Sequence, residues 1–315
     1  MTQYVAQRVA WLVFALLGVS VITFALGVLA PGDPAEVVLE RRLNQPPPRE
    51  QVEAQRRVMG LDRPITVQYV RWLSHAARGD LGSSWLKGLR VSEALRQRAP
   101  RTAVLALCAS ALSIVIGVPV GVLAATRRNR LADHVCRVGA LLGASVPSYF
   151  SAYLLILLFA VRLNVVPAFG FGSPGHLVLP AVTLALGPAA VLTRLTRSAV
   201  LDVLGEDFVR TARAKGLRQH AVLLRHALRN AAAPLLTVAG LSLGHLLGGS
   251  LIVEYVFAWP GMGDLAINAI HDRDYPLIQG FVLFTGAAYV LVNFTIDVAY
   301  AWLDPRVRIG GKSWA

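Results

Sequence analysis

Residues that could carry out chemistry are few in this chain of 315 residues, and none stands at the spacing of a known catalytic site. Gly311–Ser313 has the letters of a phosphate-binding loop, but Arg306 occupies the place of its first glycine. Gly170–Gly175 has the glycine spacing of a dinucleotide-binding turn without a strand before it. No HExxH, GxSxG or acid pair lies within an apolar run. We therefore predict a chain that is not an enzyme and needs no cofactor.

The cysteines offer no metal or redox chemistry. Cys108 and Cys136 lie in or beside apolar runs, with no CxxC and no histidine at ligand spacing. We expect both to be small core residues, with no disulfide and no metal.

A second group of chemically useful residues is polar and lies within long apolar runs. Polar groups at such depth are costly, so they commonly face a bundle interior or water. Hydrogen bonding between helices is the alternative role, and the sequence leaves both open. The candidates for a translocation path are Ser145, Ser148, Tyr149, His245, Asn293 and Asp297.

The elements that position these residues are apolar helices. With 55% hydrophobic and 16% charged residues, the chain is too apolar for an ordinary soluble domain. Roughly 20 helical residues span a bilayer. The sequence thus predicts an all-α integral membrane protein with six transmembrane helices at Val9–Ala30, Thr102–Thr126, Val138–Val161, Leu177–Thr193, Ala231–Val253 and Tyr275–Ile296. The first is expected to be retained rather than cleaved, and the fourth must borrow length from its flanks.

The net charge of +13 is distributed unevenly among the loops. Of the arginines in short loops, most lie on one side, around 127–137, 194–229 and 306–308, whereas the short loops on the other side hold only Arg162 and Arg273. By the positive-inside rule both termini are cytoplasmic. The charge is then explained by orientation and by membrane lipid, and a nucleic-acid partner is not expected.

Two long polar segments, residues 31–100 and 201–234, interrupt the apolar runs. We expect residues 1–30 to form the first membrane helix, residues 31–100 a partly helical extracytoplasmic insert, residues 101–303 a five-helix core, and residues 304–315 a cytoplasmic tail. Within the insert, Glu50–Met59 and Ile65–Ala77 have helical patterns. A further outer loop, 254–279, contains a turn and a short amphipathic helix, Leu265–Ile270, and forms either a gate-flanking hairpin or a stiff connector.

The polar interruption Leu201–Pro234 is the most informative segment. Leu201, Leu204 and Phe208 have helical spacing, and Gly216 can end that helix in left-handed geometry. A second, basic amphipathic helix is predicted to follow, with an apolar stripe at Leu217, Ala221, Leu224 and Leu228. Taken alone, this segment is either an interfacial anchor on anionic lipid or a docking site for another protein.

Several motifs, in order along the chain, resemble one family: the permease subunits of ATP-binding-cassette (ABC) importers, in the dipeptide/oligopeptide/nickel branch, and there the B-type half with a long first outer loop. The matching pieces are Pro31-Gly-Asp-Pro34, Gly60-Leu-Asp-Arg-Pro64 with Gln68-Tyr69, Gly79-Asp-Leu-Gly82, Pro147, Asp207–Gly216, His226-Ala-Leu-Arg-Asn230 with Pro234, Trp259-Pro-Gly261, Arg273-Asp-Tyr-Pro276 and Asp304-Pro-Arg306.

The resemblance implies that residues 201–230 are the cytoplasmic coupling loop, which docks in a groove of a separate ATPase. The family's Glu-Ala-Ala-x-x-x-Gly motif would have its acidic residue at Arg210, so that acid is missing here. The residues implied in coupling are Asp207, Phe208, Arg210, Thr211, Ala212, Arg213, Ala214, Lys215 and Gly216.

The resemblance also implies a location in the plasma (inner) membrane of a prokaryote, a set of partners and a cargo. The partners are a second, homologous permease subunit, two ABC ATPases and an extracytoplasmic substrate-binding protein that docks on the outer loops at Trp259, Asp272, Arg273 and Asp274. The expected cargo is di- or oligopeptides, with nickel chelates or glutathione as the alternative. A self-contained secondary transporter is the rival, although no internal repeat or paired intramembrane charges support it.

Overall fold

The computed structural model describes residues 2–29, 32–218, 221–223 and 228–303, and the described part of the chain is helical apart from turns and one isolated bridge. The predicted tail 304–315 and much of the predicted second helix of the coupling loop lie outside these residues. The helices are α1 (Thr2–Val28), α2 (Pro34–Leu43), α3 (Arg49–Met59), α4 (Ile65–Ala76), α5 (Val91–Thr126), α6 (Leu131–Ser145), α7 (Ser148–Leu155), α8 (Gly175–Leu204), α9 (Asp207–Ala214), α10 (Leu228–Gly249), α11 (Leu251–Val256), α12 (Met262–Asp272) and α13 (Tyr275–Leu303).

Within this described part, four helices are long and apolar enough to cross a membrane: α1, α5, α8 and α13. The bent pair α6–α7 makes a fifth candidate if its two arms count as one span. The apolar part of α10, Pro234–Gly248, falls short of the roughly 20 residues that a bilayer requires. The fourth predicted span does borrow from its flanks, because α8 is 30 residues long.

The third predicted span, Val138–Val161, is not one straight helix. Val146 and Pro147 adopt an extended backbone between the two helices, α7 begins at Ser148, and the path of the chain bends by 107°. The residue before a proline is disfavoured in helical geometry, which explains the break at this position. After α7 the chain continues as a π-helix over Ile156–Arg162.

The centre of the molecule is the contact between α5 and α8. At Gly121 an added Cβ would lie 2.6 Å from the carbonyl oxygen of Thr193, so the two helix backbones approach closely. A continuous buried cluster extends this contact to the neighbouring helices and comprises, among others, Leu105, Ala106, Ala109, Ala152, Leu179, Leu184, Leu246 and Phe257.

The bundle of long helices has two ends, which we name by the segments that lie there. We call the end near residues 32–90 the insert end and the end near residues 127–130 and 205–217 the loop end. At the insert end, Val91 and Leu95 of α5 are buried against Met262 of α12 and Leu277 of α13. At the loop end, Ala125 and Val200 are buried against the stretch that follows α9.

The insert is helical, as predicted for α3 and α4. Its first helix, α2, was not predicted; Asp33 caps that helix by accepting a hydrogen bond from the backbone N–H of Ala35. The insert is tied to the region between α12 and α13. The Ser84 hydroxyl donates to the carboxylate of Asp274, and Lys87 pairs with Asp272 at 3.1 Å.

Candidate functional site

The coupling segment begins where α8 ends. The Gly205 N–H closes α8 by donating to the carbonyls of Leu201 and Asp202, and α9 starts two residues later. The helical spacing of Leu201, Leu204 and Phe208 predicted one continuous stripe; instead the helix breaks at Gly205 and α9 is a separate eight-residue helix. Gly216 follows α9 with φ +79°, as predicted for a left-handed stop.

Val209 fastens α9 to the loop end. Val209 and Val222 are both fully buried and pack with Val203 and Leu204 from the last turn of α8. Phe208, expected on the apolar stripe, is 43% exposed instead, because the break at Gly205 resets the helical phase. The short helix is therefore held on one side by valine packing and leaves Phe208 at its surface.

The opposite side of α9 is polar and faces solvent. The Asp207 side chain is 96% exposed and that of Arg210 79% exposed, with a 3.6 Å ion pair between them. Thr211, Ala214, Lys215 and Gly216 are exposed as well. The side chains of Ala212 and Arg213 lie outside the described residues. α9 thus presents a compact surface of charged residues around Phe208, which fits docking on another protein.

A buried ion pair joins α6 to α8 just before the coupling segment. Asp133 is fully buried and accepts hydrogen bonds from Nε of Arg197 at 2.7 Å and from Nη2 at 2.8 Å. The backbone N–H of Asn129 donates to the same carboxylate. From the sequence, Arg197 was assigned a role only in orienting the chain in the membrane, and Asp133 was not selected. The feature that could have indicated this ion pair is that Asp133 is a single acid among the basic residues of 127–137.

The candidates for a translocation path fall on two helix pairs. Ser145, Ser148 and Tyr149 are exposed at the break between α6 and α7. His245 is exposed on α10, and Asn293 is half-buried on α13, with which α10 packs. Within the described part of the chain, the buried Oδ1 of Asn293 has no hydrogen-bond partner. Asp297 lies in α13, and its side chain is outside the described residues.

The candidates for docking a binding protein are mostly occupied within the chain. Trp259 is 4% exposed and its indole N–H donates to the carbonyl of Arg101, while Asp274 is 1% exposed. Asp272 is half-buried and pairs with Arg41 and Lys87. Arg273 alone of the four is exposed, at φ +55°. Asp272 and Asp274 are therefore parts of the contact between loop and insert, whereas Trp259 packs against Phe171 and belongs to the central buried cluster.

Glu254, which the sequence analysis did not select, organises the loop between α11 and α12. It is fully buried, and its carboxylate accepts hydrogen bonds from the Ser250 hydroxyl and from the backbone N–H groups of Gly263 and Asp264. Burial raises the pKa of this carboxyl group, and the hydrogen bonds oppose that shift. A Cβ at Gly261 would overlap the carboxylate, so this turn requires glycine.

Comparisons with known proteins agree with this architecture. Residues 117–309 match the family model described as "Binding-protein-dependent transport system inner membrane component". Residues 1–106 match the model for the N-terminal part of such membrane components. Together the two models account for most of the chain, including the insert.

Individual proteins match over nearly the whole length. The chain is 40% identical to a glutathione transport system permease protein of Salmonella paratyphi A, covering 98% of this chain and 99% of that protein. It is 37% identical to the dipeptide transport system permease protein of Escherichia coli K12, covering 98% and 99%.

A solved structure of the MetNI methionine ABC transporter, in an inward-facing conformation, contains a chain with the same fold. Its TM-score is 0.54 at 19% sequence identity, covering 67% of this chain and 96% of that one. The family models, the full-length relatives and the shared helical fold agree, and this chain belongs to the family of inner-membrane components of binding-protein-dependent transport systems, as a multi-pass permease subunit.

Proposed function

We propose that this chain forms half of the translocation path of a peptide importer, and that a separate ATPase drives it through α9. The complete transporter would contain a second, homologous permease subunit, two ABC ATPases and an extracytoplasmic binding protein. In this arrangement the loop end is cytoplasmic and the insert end faces outward, as the positive-inside rule predicts.

The observation that carries the proposal is the construction of α9. It is a short helix with Val209 buried against α8 and with Phe208 and Arg210 exposed at its surface. A helix of this kind can sit in a groove of a partner as a rigid body. Because it is packed against the last turn of α8, a displacement of α9 is passed directly to that helix.

The pair Asp133–Arg197 extends this connection to α6. Arg197 stands on α8 about two turns before its end, and its bidentate contact holds the beginning of α6 to the same helix. We infer that α6 and α8 move together when α9 is displaced. The bend at Pro147 then brings Ser145, Ser148 and Tyr149 to the place where the moving arm changes direction.

The cargo is inferred from the full-length relatives. One is named for dipeptide transport and one for glutathione transport, and both classes contain peptide bonds and free carboxylates. We propose di- or oligopeptides, with glutathione or a nickel chelate as the alternative within the same architecture. Uptake of labelled dipeptide, glutathione and nickel by the assembled transporter, with its own binding protein, separates these cargoes.

The experiment on coupling reverses charges on α9. In proteoliposomes that contain all subunits, Arg210→Glu with Lys215→Glu should lower ATP-driven uptake and the ATPase activity that the binding protein stimulates. Arg128→Glu, on an exposed loop at the same end, is the matched control and should leave both unchanged. Unchanged uptake in the α9 variant, or uptake by the pure chain without nucleotide, would contradict the proposal and favour a secondary transporter.

The path residues need a different readout. Asn293→Leu removes a buried polar atom without a partner in the described part of the chain, so assembly should survive while transport changes. Asn293→Asp keeps a polar group of similar size at the same position. If Asn293→Leu lowers only the yield of the assembled complex, this residue has a structural role and is not part of the path.

A further inference from the structure

The insert does not simply stand beyond the end of the membrane helices, because α4 lies along the side of α1. The hydroxyl groups of Ser20 and Tyr69 are 2.8 Å apart, and the ring of Phe24 contacts Tyr69 at 5.4 Å and Trp72 at 5.9 Å between centroids. The apolar span of α1 ends at Val28. At about 1.5 Å per residue, Ser20 lies about 12 Å below that end. The Tyr69 side chain therefore reaches below the end of the apolar span, and the space between α4 and α1 opens at the level of that end, where Val28 and Gly32 line it.

The segment formed by α3, the turn at residues 60–64 and α4, which we call the α3–α4 segment, has the surface of an interfacial element. Ile65 is 58% exposed, Val70 64% and Val58 81%, although all three are apolar. Tyr69 and Trp72 stack beside them against α1, and such aromatic residues are enriched at the headgroup level. Exposed apolar side chains beside an aromatic cluster at this depth fit contact with lipid better than contact with water.

A cavity of about 860 Å³ lies between the α3–α4 segment, the end of α1, residues 80–85 and the first turn of α13. Four arginines line it: Arg56, Arg57, Arg63 and Arg71. Arg56 pairs with Asp33 at 3.4 Å. The guanidinium groups of the other three make no ion pair or hydrogen bond with any residue that the structure describes. Asp33 and Asp80 are the acidic groups of the lining, and Asp80 accepts from the Gly82 N–H.

We propose that the α3–α4 segment is a membrane-surface element that binds the phosphate headgroup of an anionic phospholipid through Arg57, Arg63 and Arg71. Val28 and Gly32 in the lining place the cavity at the end of the apolar span, which is headgroup level. The exposed valine and isoleucine side chains supply contact with acyl chains, and the unpaired guanidinium groups match a phosphate in charge and geometry. The site is independent of the coupling segment and of the cargo.

Lipid binding is measured on the assembled transporter in nanodiscs of phosphatidylcholine with increasing phosphatidylglycerol. The probe is the amount of phosphatidylglycerol that stays bound through purification, together with the thermal midpoint at each lipid composition. Replacing Arg57, Arg63 and Arg71 with glutamine should weaken binding about a hundredfold, since each basic residue at an anionic surface contributes about fivefold. The control removes the same charge at Arg49, Arg78 and Arg90, which are exposed on the insert but do not line the cavity.

The depth of α4 is tested separately, by fluorescence quenching. With Cys108 and Cys136 replaced by alanine, a fluorophore at Val70→Cys should be quenched by spin-labelled lipid, like one at Val21→Cys in α1. A fluorophore at Arg49→Cys should instead be quenched by an aqueous agent. Quenching of the Val70 label only from water would overturn the proposal. So would arginine variants that retain phosphatidylglycerol but lose the binding protein, because the cavity would then serve an acidic protein surface.

Discussion

At the scale of single residues, Glu254 shows how one buried carboxylate can accept several hydrogen bonds at the beginnings of two helices. From α11, this one side chain accepts from the Ser250 hydroxyl and from two backbone N–H groups in the first turn of α12. A buried donor without an acceptor lowers the stability of the fold by about 1–3 kcal/mol. We therefore expect Glu254 to act as a hydrogen-bond acceptor that fixes the conformation here, and its negative charge to be unimportant.

Replacing Glu254 tests this role. In Glu254→Gln, the amide oxygen can still accept from the Gly263 N–H while the amide nitrogen donates to the Ser250 oxygen, so stability should fall by about 1 kcal/mol or less. Glu254→Ala leaves both N–H groups without an acceptor and should cost about 2–4 kcal/mol. Thermal unfolding of the purified subunit measures both. Equal losses in the two variants would show that the carboxylate charge is the essential feature.

The pair Asp133–Arg197 gives a second prediction at this scale. Removing one partner of a buried pair costs about 3–5 kcal/mol, because the other charge is left uncompensated. Asp133→Ala and Arg197→Ala should each lower the unfolding midpoint strongly, whereas Asp133→Leu combined with Arg197→Met should recover most of it. The double variant is also expected to uncouple ATP hydrolysis from uptake. Additive losses in a double-mutant cycle would argue against a direct interaction.

Neither Asp133 nor Glu254 could be selected from the sequence alone. Arg197 lies among basic residues whose number already explains the orientation of the chain, and its partner is 64 residues away. Glu254 stands at the edge of an apolar run, where a solvated loop is the simpler reading. Their importance comes from packing between distant segments, which residue spacing does not contain.

At the scale of elements, the stop at Gly216 is predicted to control the coupling segment. A residue with a Cβ pays about 1–2 kcal/mol in left-handed geometry, so Gly216→Ala should loosen the end of α9. ATP-driven uptake should fall while the assembled complex keeps its yield. Gly139→Ala, in a helical position with open space around it, is the control and should be neutral. A Gly216→Ala variant with full uptake would show that the stop is dispensable.

The α5–α8 contact gives a different glycine prediction. Gly121→Ala would place a methyl group against the carbonyl of Thr193, and overpacking of this kind costs about 1–3 kcal/mol. Gly18→Ala on α1 has open space around it and should leave stability unchanged. Thermal unfolding of the two variants provides the comparison. An unchanged midpoint for Gly121→Ala would mean that the helices separate readily.

Residue spacing and glycine positions predicted helices correctly where the helix depends only on its own sequence. The helical patterns of α3 and α4 are within one residue of the observed bounds, and Gly216 ends α9 as expected. The break at Gly205 was missed because Leu201, Leu204 and Phe208 keep helical spacing across it. The 107° bend depends on Pro147, which marks a break in the sequence but carries no information about its angle. Within the described residues four helices, or five with the bent pair, are long enough to span a membrane, so the count of six remains a prediction.

At the scale of the whole molecule, the insert is held to the core by a small number of polar contacts. Asp274 accepts from the Ser84 hydroxyl and from the Trp85 N–H, and Asp272 pairs with Arg41 and Lys87. Tyr69 and Ser20 add a contact to α1. The insert and the region between α12 and α13 are therefore expected to stay together when the transporter changes conformation.

Asp274→Ala should release the insert locally. The loss of about 1–2 kcal/mol raises the population of the open form about 5- to 30-fold. Trypsin should then cleave the basic residues of 41–63 faster, while α5, α8 and α13 remain intact, as judged by fragment masses. Asp62→Ala, an exposed residue of the same insert, is the control. If Asp274→Ala and Asp62→Ala are cleaved at the same rate, the insert is held mainly by another contact, such as that of Phe24 with Tyr69 and Trp72.

The π-helix at Ile156–Arg162 has a consequence for length variation among relatives. Each turn of a π-helix contains more residues than a turn of an α-helix. If one residue is deleted from this stretch, the π-helix can become an α-helix, and the residues that follow keep their positions. Relatives that differ by one residue in this stretch should keep the same register on both sides of it.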